Sequence, residues 1–189
     1  MNIALLASGT GTNAEKLIEH ASTLKNISIV GIVVDQASSK LLNTKRSVPV
    51  VLIEKIEGQK KSDHEENILR QLKVWNTDWV LLAGYMRLLS KKFLAQYKNK
   101  VVNIHPSLLP LYPGAHAYER AFEDNVTESG VTVHFVDEGI DTGKVWRQET
   151  FKKFPHDSLE DFIARGKNVE WSLYPSFLDW LSKNNSESK

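Results

Sequence analysis

The sequence predicts an α/β fold, in which helices cover both faces of a mostly parallel, twisted sheet. Short apolar runs alternate with helix-like segments through residues 1–100. These runs are continuous and do not alternate with polar residues, which is typical of parallel strands buried on both faces. After residue 130, two strand-like segments are joined by a glycine-containing loop of hairpin length. We therefore expect antiparallel strands to extend the sheet in the C-terminal half.

Five strands are predicted in the first half. They share the continuous apolar character and cover residues 3–7, 27–34, 48–53, 79–83 and 101–104. The helices predicted between them carry helix-forming residues or apolar residues at helical spacing, and cover residues 13–19, 38–46, 62–75 and 88–97. Parallel strands joined in this way bring their carboxyl ends to one edge of the sheet, where such folds bind ligands.

The character of the chain changes after Pro113 and Gly114. The second half predicts a helix over residues 117–123, strands over 130–136 and 145–151, and a long helix over 158–180. Ser158 and Asp161 have the spacing of a capping box at the start of the long helix. Pro175 lies inside that helix and is expected to break or kink it.

The composition excludes several classes of protein. The chain has 189 residues, with 24 Lys and Arg against 23 Asp and Glu, so a large basic face for nucleic acid is not expected. There is no cysteine, which excludes disulfides and thiolate metal sites. The N-terminal apolar run is too short for a signal peptide, and no apolar stretch approaches the ~20 residues of a membrane span. We expect one cytoplasmic domain.

A glycine-rich turn follows the first predicted strand. Residues 9–14 (GTGTNA) fit the pattern G-x-G-x-x-A, and Asp35 follows the second strand near the spacing of a ribose-binding acid. Together they are similar to the dinucleotide-binding fingerprint of Rossmann-like folds, although a lone match also occurs in purely structural turns. The physics supports phosphate binding more generally, because a helix N-terminus offers backbone N–H groups and Thr10, Thr12 and Asn13 add donors.

Residues 103–110 (NIHPSLLP) place an amide, an imidazole and a hydroxyl at the end of the fifth predicted strand. Asn103 and His105 are two positions apart, so their side chains share one face of a strand. Pro106 and Pro110 prevent a helix or an inner strand from continuing, which leaves these polar groups at the rim of the sheet. This stretch is the candidate active-site turn.

A histidine that acts as an acid or as an electrostatic catalyst needs a carboxylate that orients it and raises its pKa. Asp141 is the best candidate partner for His105, although its glycine-flanked loop also suits an ordinary turn aspartate. Asn103 could donate to a developing oxyanion or cap the next turn. His134 is interpreted as a packed supporting group, and His116 as an exposed loop residue.

Two further interpretations concern ligands. The spacing of the three histidines and Asp141 matches no standard zinc pattern, so no metal site is predicted. An apolar stripe after Gly84 fits either the core or a slot for a flat aromatic ligand, and consists of Met86, Leu88, Leu89, Phe93 and Leu94.

Residues 103–110, followed by Tyr112, Pro113 and Gly114, resemble the signature of the glycinamide ribonucleotide formyltransferases. Other similarities run along the whole chain. Residues 8–13 are similar to the family's phosphate loop, and residues 82–87 are similar to its folate-side strand end. Residues 133–136, together with 141–143, are similar to its catalytic aspartate loop. Glu170, which precedes residues 173–175, is similar to its acidic contact with the substrate. The match covers about the full length, and the combination is highly specific.

The resemblance implies that the formyl group of 10-formyltetrahydrofolate is transferred to the amine of glycinamide ribonucleotide in de novo purine biosynthesis, without a metal. It implies that Asn103 and a protonated His105 stabilise the oxyanion, while Asp141 keeps His105 charged and helps to move a proton. The residues implied to bind the nucleotide are Gly11, Thr12, Asn13 and Glu170. Those implied to bind the folate are Met86, Arg87, Leu88, Leu89, Asn103, Val136, Glu138 and Asp141. The supporting groups are His134, Ser107 and Thr142.

The resemblance also implies an organisation for the chain. Residues 1–189 would form a single formyltransferase domain, with a phosphate-binding half (1–100), a catalytic and folate-binding half (101–182) and a frayed tail (183–189). Its partners would be the two small-molecule substrates, without nucleic acid or membrane, and a homodimer is compatible with this organisation. The chain departs from the usual family pattern at Ala14, Lys144 and Trp146, which affects the expected shape of the pocket.

Alternative functions remain open from the sequence. The wider superfamily shares the Asn-x-His motif and distant Asp, and includes methionyl-tRNA formyltransferase and formyltetrahydrofolate hydrolase. The first normally carries a second, nucleic-acid-binding domain and the second an N-terminal regulatory domain, neither of which is expected in so short a chain. A 10-formyltetrahydrofolate hydrolase would use water as the acceptor. A dinucleotide-binding oxidoreductase or a binding module would rest on the glycine turn and Asp35 alone.

Overall fold

A twisted sheet organises the molecule, in a computed structural model that describes residues 1–43 and 46–184. Its strands are β1 (Asn2–Ala7), β2 (Ser28–Val34), β3 (Val50–Leu52), β4 (Trp79–Leu82), β5 (Val101–His105), β6 (Glu128–Phe135) and β7 (Val145–Lys152). They lie side by side in the order β3-β2-β1-β4-β5-β6-β7. The first five are parallel, whereas β6 pairs antiparallel with β5 and β7 antiparallel with β6. The predicted fold class is confirmed.

Helices cover both faces of the sheet. They are α1 (Thr12–Ala21), α2 (Lys61–Val74), α3 (Lys91–Gln96), α4 (Ala117–Glu123) and α5 (Leu159–Asn184). Leu17 of α1 and Leu178 of α5 belong to the apolar core on one face. Leu72 of α2 and Phe93 of α3 belong to the core on the other. The strands between these two cores are buried on both faces, which is why their sequences are continuously apolar.

Helix α3 is shorter than the helix predicted over residues 88–97. It begins at Lys91 because Ser90 is its N-cap, whose Oγ accepts a hydrogen bond from the Phe93 N–H at 3.2 Å. Glu65 holds this cap by accepting from the Ser90 N–H at 2.8 Å and from its hydroxyl. As a result Leu88 and Leu89 stay in the loop before the helix, where they line the cavity described below.

Two elements near the second strand are also shorter than predicted. Of the helix predicted over residues 38–46, a 3-10 turn over Lys40–Asn43 forms, and residues 44 and 45 lie outside the described residues. The strand predicted over residues 48–53 is reduced to Val50–Leu52 at the edge of the sheet. Pro49 lacks an N–H and so cannot donate within the ladder, although its carbonyl accepts from Ile32 at 2.9 Å.

Helix α5 begins as predicted and continues further. The capping box is confirmed, because the Asp161 N–H donates to Ser158 Oγ and the Ser158 N–H donates to Asp161 Oδ2, both at 3.1 Å. Of the break or kink predicted at Pro175, the break does not occur, since the helix continues to Asn184. The nearby side chains of Tyr174 and Phe177 are fully buried. This packing compensates for the backbone hydrogen bond that is lost at the proline. Of the predicted frayed tail, residues 183 and 184 are helical and 185–189 lie outside the described residues.

The loops that follow β1 and β4 are tied together at the carboxyl edge of the sheet. The Ser8 N–H donates to the Gly84 carbonyl at 3.1 Å, and Ser8 Oγ accepts from the Met86 N–H at 2.9 Å. Gly11 is required in the first loop, because its φ is +82° and a Cβ there would lie 2.3 Å from Leu41. Within the described ranges, no helix has the length and apolar character needed to cross a bilayer.

Candidate active site

A cavity of about 450 Å³ opens at this carboxyl edge. Most of the residues that the sequence predicted for the site line it: Asn13, Met86, Arg87, Leu88, Leu89, Asn103, His105, His134, Val136, Glu138, Asp141 and Glu170. Four predicted residues are not among its lining residues, namely Gly11, Thr12, Ser107 and Thr142. The cavity therefore collects loops that are far apart in the sequence, as expected where parallel strands end.

Asp141 lies at the centre of the polar part of the cavity. Its Oδ2 is 3.2 Å from His105 Nδ1 and accepts a hydrogen bond from the Gly114 N–H at 2.8 Å. Its Oδ1 is 3.5 Å from His134 Nε2. Its backbone has φ +54°, which is uncommon for a residue other than glycine and turns the carboxylate toward the two imidazoles.

Burial acts to raise the pKa of Asp141, but the His134 imidazole, the Gly114 N–H and the charge that His105 carries when it is protonated in acid outweigh burial and hold that pKa at about 2. The carboxylate is therefore ionised at neutral pH. It is largely buried, with 14% of the side chain exposed, so its charge acts on its neighbours with little screening by solvent. This arrangement supports the predicted pairing of Asp141 with His105.

His105 is buried at the end of β5, with both ring nitrogens next to acceptors. Nε2 lies 2.8 Å from the Tyr112 carbonyl, and Nδ1 faces Asp141. Because a carbonyl can only accept, we assign the proton of the neutral ring to Nε2. If Nδ1 were protonated as well, its N–H would donate to Asp141, which already lies next to it. The hydrogen-bonding environment is thus prepared for a proton that moves between the imidazole and the carboxylate.

The charge expected on His105 is not supported. Burial lowers the pKa of His105 below its usual value of 6.5, and the Tyr112 carbonyl and Asp141, which act to raise it, do not compensate. The charges of His134 and Arg120 lower it further. At neutral pH the neutral ring is therefore favoured, and the expectation that Asp141 keeps His105 protonated is corrected: burial is the stronger effect.

Asn103 and His134 lie opposite each other on the paired strands β5 and β6. Asn103 Nδ2 is 3.3 Å from His134 Nε2, while His134 Nδ1 is 2.9 Å from the carbonyl of Phe135. That carbonyl places a proton on Nδ1, so Nε2 accepts one N–H of Asn103. The second N–H of the amide has no partner among the described residues. His134 thus contacts two members of the predicted catalytic trio, in keeping with its predicted supporting place.

Glu170 lies in a second buried cluster on the same cavity. Its Oε2 accepts from Asn13 Nδ2 at 2.6 Å and from Lys167 Nζ at 2.9 Å, and its Oε1 accepts from the Tyr118 hydroxyl at 2.7 Å. Gly166 makes room for Tyr118, because a Cβ at that position would lie 2.4 Å from the ring. The carboxylate has three donors that hold it in one orientation at the wall of the cavity.

Asn13 is the member of the glycine turn that reaches the cavity. Its amide nitrogen binds Glu170, and its Oδ1 is buried without a partner in the described part of the chain. A buried acceptor without a donor is costly, so this oxygen suits an N–H or O–H supplied by a ligand. Gly11 and Thr12 precede it at the start of α1, where the first N–H groups of a helix are available to an anion.

An apolar wall faces these polar clusters. Met86 and Leu88 are 69% and 54% exposed, which is unusual for large apolar side chains and indicates a binding surface in a cavity. Leu89 and Val136 lie deeper in the same wall. Of the two readings of the apolar stripe, the slot applies to residues 86–89, whereas Phe93 is fully buried core.

Asp35 does not have the environment of a ribose-binding acid. It is buried and forms an ion pair with Arg87 Nε, across the ends of β2 and β4. Arg87 is partly exposed and lines the cavity. The carboxylate that would bind the ribose of a dinucleotide is therefore covered by an arginine, which removes the main support for the oxidoreductase interpretation.

Two predicted supporting residues act on loops and not on the catalytic groups. Ser107 is fully buried, and its hydroxyl donates to the Leu111 carbonyl, which stabilises the turn after β5. Thr142 Oγ1 donates to Asp137 Oδ1 at 2.7 Å and so shapes the loop that carries Asp141. Neither side chain contacts the three predicted catalytic residues through a hydrogen bond in the described structure.

The three departures from the family pattern lie away from the cavity lining. Ala14 is fully buried in the core beneath α1. Trp146 packs edge-on against Phe177 at 5.1 Å between ring centroids, on the face covered by α5. Lys144 is exposed, and its carbonyl accepts from the Phe135 N–H at 2.9 Å. Core packing accommodates Ala14 and Trp146, and nothing in the structure explains the lysine at position 144.

Sequence reasoning missed four contributors to the site: Lys167, Tyr118, Tyr112 and Gly114. Lys167 could have been found, because it precedes Glu170 by three positions on one helix and so lies on the same face. Tyr118 gives no local signal, since its contact with Glu170 spans 52 residues. Tyr112 and Gly114 act through backbone atoms, which side-chain motifs cannot reveal. In the described part of the chain, His, Asp and Glu side chains form no group of three suited to a metal ion.

Comparisons with known proteins agree with this geometry. The formyl transferase family matches over residues 1–178. The phosphoribosylglycinamide formyltransferase of Bacillus subtilis is 35% identical over 94% of this chain and 93% of its own, and that of Escherichia coli is 34% identical over 96% and 87%. The crystal structure of phosphoribosylglycinamide formyltransferase from Bacillus halodurans has a TM-score of 0.91 at 37% identity, covering 100% of this chain and 97% of its own. The chain belongs to the phosphoribosylglycinamide formyltransferase family.

Proposed function

We propose that this protein transfers the formyl group of 10-formyltetrahydrofolate to the amine of glycinamide ribonucleotide. The observation that carries the proposal is the contact of His105 Nδ1 with Asp141 at 3.2 Å, beside an Asn103 amide that has an N–H to spare. Acyl transfer from a formamide needs a donor for the oxyanion and a group that moves a proton, and these residues supply both. The names of the relatives describe the same transfer.

The chemical step can be assigned to the chain's residues. The amine forms a bond to the formyl carbon, while the spare N–H of Asn103 stabilises the oxygen that becomes negative. The pair of His105 and Asp141 takes up the proton that the amine loses. The resulting imidazolium is held by the Tyr112 carbonyl at Nε2 and by Asp141 at Nδ1. The same pair returns the proton to the folate nitrogen as its bond to the formyl carbon breaks, so charge and protons balance.

The nucleotide end of the site is assigned to the cluster around Glu170. The backbone N–H groups of Gly11 and Thr12 at the start of α1 would bind the phosphate. Lys167, which is 36% exposed and lines the cavity, would add a positive charge. Glu170 and the unpartnered Asn13 Oδ1 would accept hydrogen bonds from the ribose or glycinamide groups. Asn13, Lys167 and Glu170 line the same cavity as His105, which supports binding of the nucleotide with its amine close to the imidazole.

The folate end is assigned to the apolar wall. A flat pteridine would pack between the loop of Met86, Leu88 and Leu89 and the side chain of Val136, and would bury apolar surface that is otherwise exposed. Arg87 and Glu138 would contact polar parts of the folate at the rim. Positioning of this kind is itself a large contribution to catalysis, because it replaces a bimolecular encounter by a fixed geometry.

An assay with and without the acceptor tests the proposal. Purified protein is mixed with 10-formyltetrahydrofolate, and loss of the formyl group is followed by absorbance in the presence and in the absence of glycinamide ribonucleotide. Deformylation that requires the nucleotide, with formylglycinamide ribonucleotide as product, supports the transfer. Deformylation that is independent of the nucleotide would assign a hydrolase, and no deformylation under either condition would reject both functions.

The proposal extends to partners and location. We propose that the two small molecules are the partners of the site and that the chain acts in the cytoplasm; a homodimer is compatible with this function. Analytical ultracentrifugation over a range of concentrations measures the assembly, and a monomer at all concentrations contradicts the dimer. Fractionation of cells that produce the protein from its own gene tests the location.

A further inference from the structure

A short segment over residues 112–116 covers the catalytic pair, and its backbone is strained. Tyr112 and His116 have φ values of +51° and +58°, in the left-handed region that residues other than glycine seldom occupy. Gly114, between them, has φ +78°. Glycine adopts this conformation freely, but the two other left-handed residues persist only where further contacts hold them. The segment therefore needs a restraint that its own sequence does not provide.

Two backbone groups of this segment are the partners of the catalytic pair. The Tyr112 carbonyl accepts from His105 Nε2 at 2.8 Å, and the Gly114 N–H donates to Asp141 Oδ2 at 2.8 Å. Because Asp141 Oδ2 is in turn 3.2 Å from His105 Nδ1, the segment, the imidazole and the carboxylate form a closed ring of contacts. A shift of the segment would change the length of two contacts at once, one on the imidazole and one on the carboxylate.

The side chain of Arg120, on α4, holds the segment from outside the cavity. Its Nη2 donates to the Pro113 carbonyl at 2.6 Å, and its Nε donates to the His116 carbonyl at 3.4 Å. Its guanidinium carbon lies 5.9 Å from the centroid of the Tyr112 ring. One planar group thus contacts three of the five residues, and Arg120 itself is not among the residues that line the cavity.

We propose that Arg120 is a positioning residue for the reaction, which sets the two backbone hydrogen bonds to His105 and Asp141, and through them the distance between these side chains, by holding residues 112–116. The guanidinium suits this task because its fork of N–H groups can satisfy two carbonyls in one plane, whereas an ammonium cannot reproduce that geometry. Its effect on turnover rests on the proposed function. Its effect on the imidazole of His105 does not, and can be measured separately.

The test is the substitution Arg120→Lys, which keeps the charge and removes the fork. We expect kcat to fall about tenfold, because small displacements of catalytic groups have effects of this size, while KM for each substrate changes less than about twofold. The melting temperature should stay close to that of the native chain. Arg165→Lys is the matched control, since Arg165 also bridges a carbonyl, that of Lys152, and a neighbouring side chain, Asp157, far along the sequence from the catalytic turn.

The second readout is the titration of His105, followed by NMR of its ring protons. The charged groups that face this imidazole are Asp141, His134 and residue 120 itself. Since lysine keeps the charge at position 120, a changed pKa of His105 in Arg120→Lys reports displacement of the Tyr112 carbonyl and Asp141. A residue that merely stabilised the fold would change the melting temperature and leave both the titration and kcat per folded molecule as they are.

The outcomes separate the two proposals. An inactive native chain rejects the proposed function, and the NMR titration then still decides the role of Arg120. An active native chain whose Arg120→Lys and Arg120→Ala variants show unchanged kcat per folded molecule and an unchanged His105 titration overturns the positioning role. A lowered kcat with a shifted titration, and with Arg165→Lys unaffected, establishes it.

Discussion

Two carboxylates line the same cavity, Glu170 buried and Asp141 half-buried, and their partners differ in kind. Glu170 is held by a phenol, an amide and an ammonium, from Tyr118, Asn13 and Lys167. Asp141 accepts a hydrogen bond from one backbone N–H and faces two imidazoles. Both clusters bring together residues from separate elements, so neither is a local turn feature. The difference lies in whether the partners can exchange a proton near neutral pH.

The phenol partner of Glu170, Tyr118, keeps its proton. Burial raises the pKa of Tyr118 far above its usual range, and the charge of Glu170 raises it further. The partners of Asp141, in contrast, are histidines, whose ordinary pKa lies close to neutral. The proposed function therefore assigns ligand binding to the carboxylate with fixed donors and proton transfer to the carboxylate whose neighbours are titratable. Substitutions at the two carboxylates and at Tyr118 test that distinction, from the largest expected effect to the smallest.

The largest effect is expected for Asp141→Asn. The amide cannot stabilise a proton on His105, so we expect kcat to fall by about 10³-fold, within the range typical of general acid–base residues, while nucleotide affinity changes little. Steady-state kinetics and nucleotide titration measure the two quantities. Asp179→Asn is the matched control, because Asp179 pairs with His20 at 2.8 Å, in contact between α1 and α5. Near-normal turnover in Asp141→Asn would contradict a role of Asp141 in proton transfer.

The next effect is expected for Glu170→Gln, and it should appear in binding. Loss of a charged acceptor is worth about 1.5–3 kcal/mol, so KM for the nucleotide should rise roughly 10- to 100-fold, while KM for the folate stays similar. Glu19→Gln is a matched control. Glu19 forms an i,i+3 ion pair with Lys16 at the surface, whereas Glu170 forms the same kind of pair with Lys167 at the cavity. A change confined to kcat contradicts the holding role.

A third prediction concerns stability in acid. The pKa of Asp141 is about 2 in the fold, against an ordinary 3.8, so the ionised carboxylate stabilises the folded state by about 2 kcal/mol. Because the folded pKa is depressed, this contribution is complete above about pH 5 and is lost as the pH falls toward 2. The free energy of unfolding of the native chain should therefore exceed that of Asp141→Asn at neutral pH and converge with it near pH 2. A difference that persists at pH 2 contradicts the electrostatic origin.

The smallest effect is expected for Tyr118→Phe. It removes the hydroxyl that donates to Glu170 and keeps the ring, which packs against Phe162. We expect a loss of about 1 kcal/mol in the free energy of unfolding and a several-fold rise in KM for the nucleotide. Denaturant titration and steady-state kinetics measure them. Tyr112→Phe, whose hydroxyl binds Asp124 at the surface, should change stability by less than about 0.5 kcal/mol.

Much of the site could be predicted because its residues lie at ends of strands. The apolar run of β5 predicts a buried strand, and the spacing of Asn103 and His105 places both side chains on one face, as the structure has them in the cavity. The glycine turn was predictable for a related reason, since the positive φ of Gly11 and its contact with Leu41 leave no room for a side chain. Local backbone geometry and strand periodicity depend on residues that are adjacent in the sequence.

Errors in the predicted elements have a common origin in tertiary contacts. Pro175 predicted a break, but burial of its neighbours keeps α5 continuous. Leu88 and Leu89 fit the periodicity of a helix, but the cap at Ser90, held by Glu65 on another helix, delays the start of α3. In each case a contact from elsewhere in the chain overrides the local preference, which is weak per residue.

The sequence by itself determined the α/β class, the order of its strands and helices and the strand end that carries Asn103 and His105, because periodicity and turn chemistry are local. Only the tertiary structure decided which donors surround Glu170 and which histidines contact Asp141. Asn13, for example, lies 157 residues from Glu170 in the sequence. It also decided the charge of His105, since burial lowers that pKa and no local pattern measures burial of a single ring. Contacts between distant segments and the desolvation they cause exist only once the chain has folded.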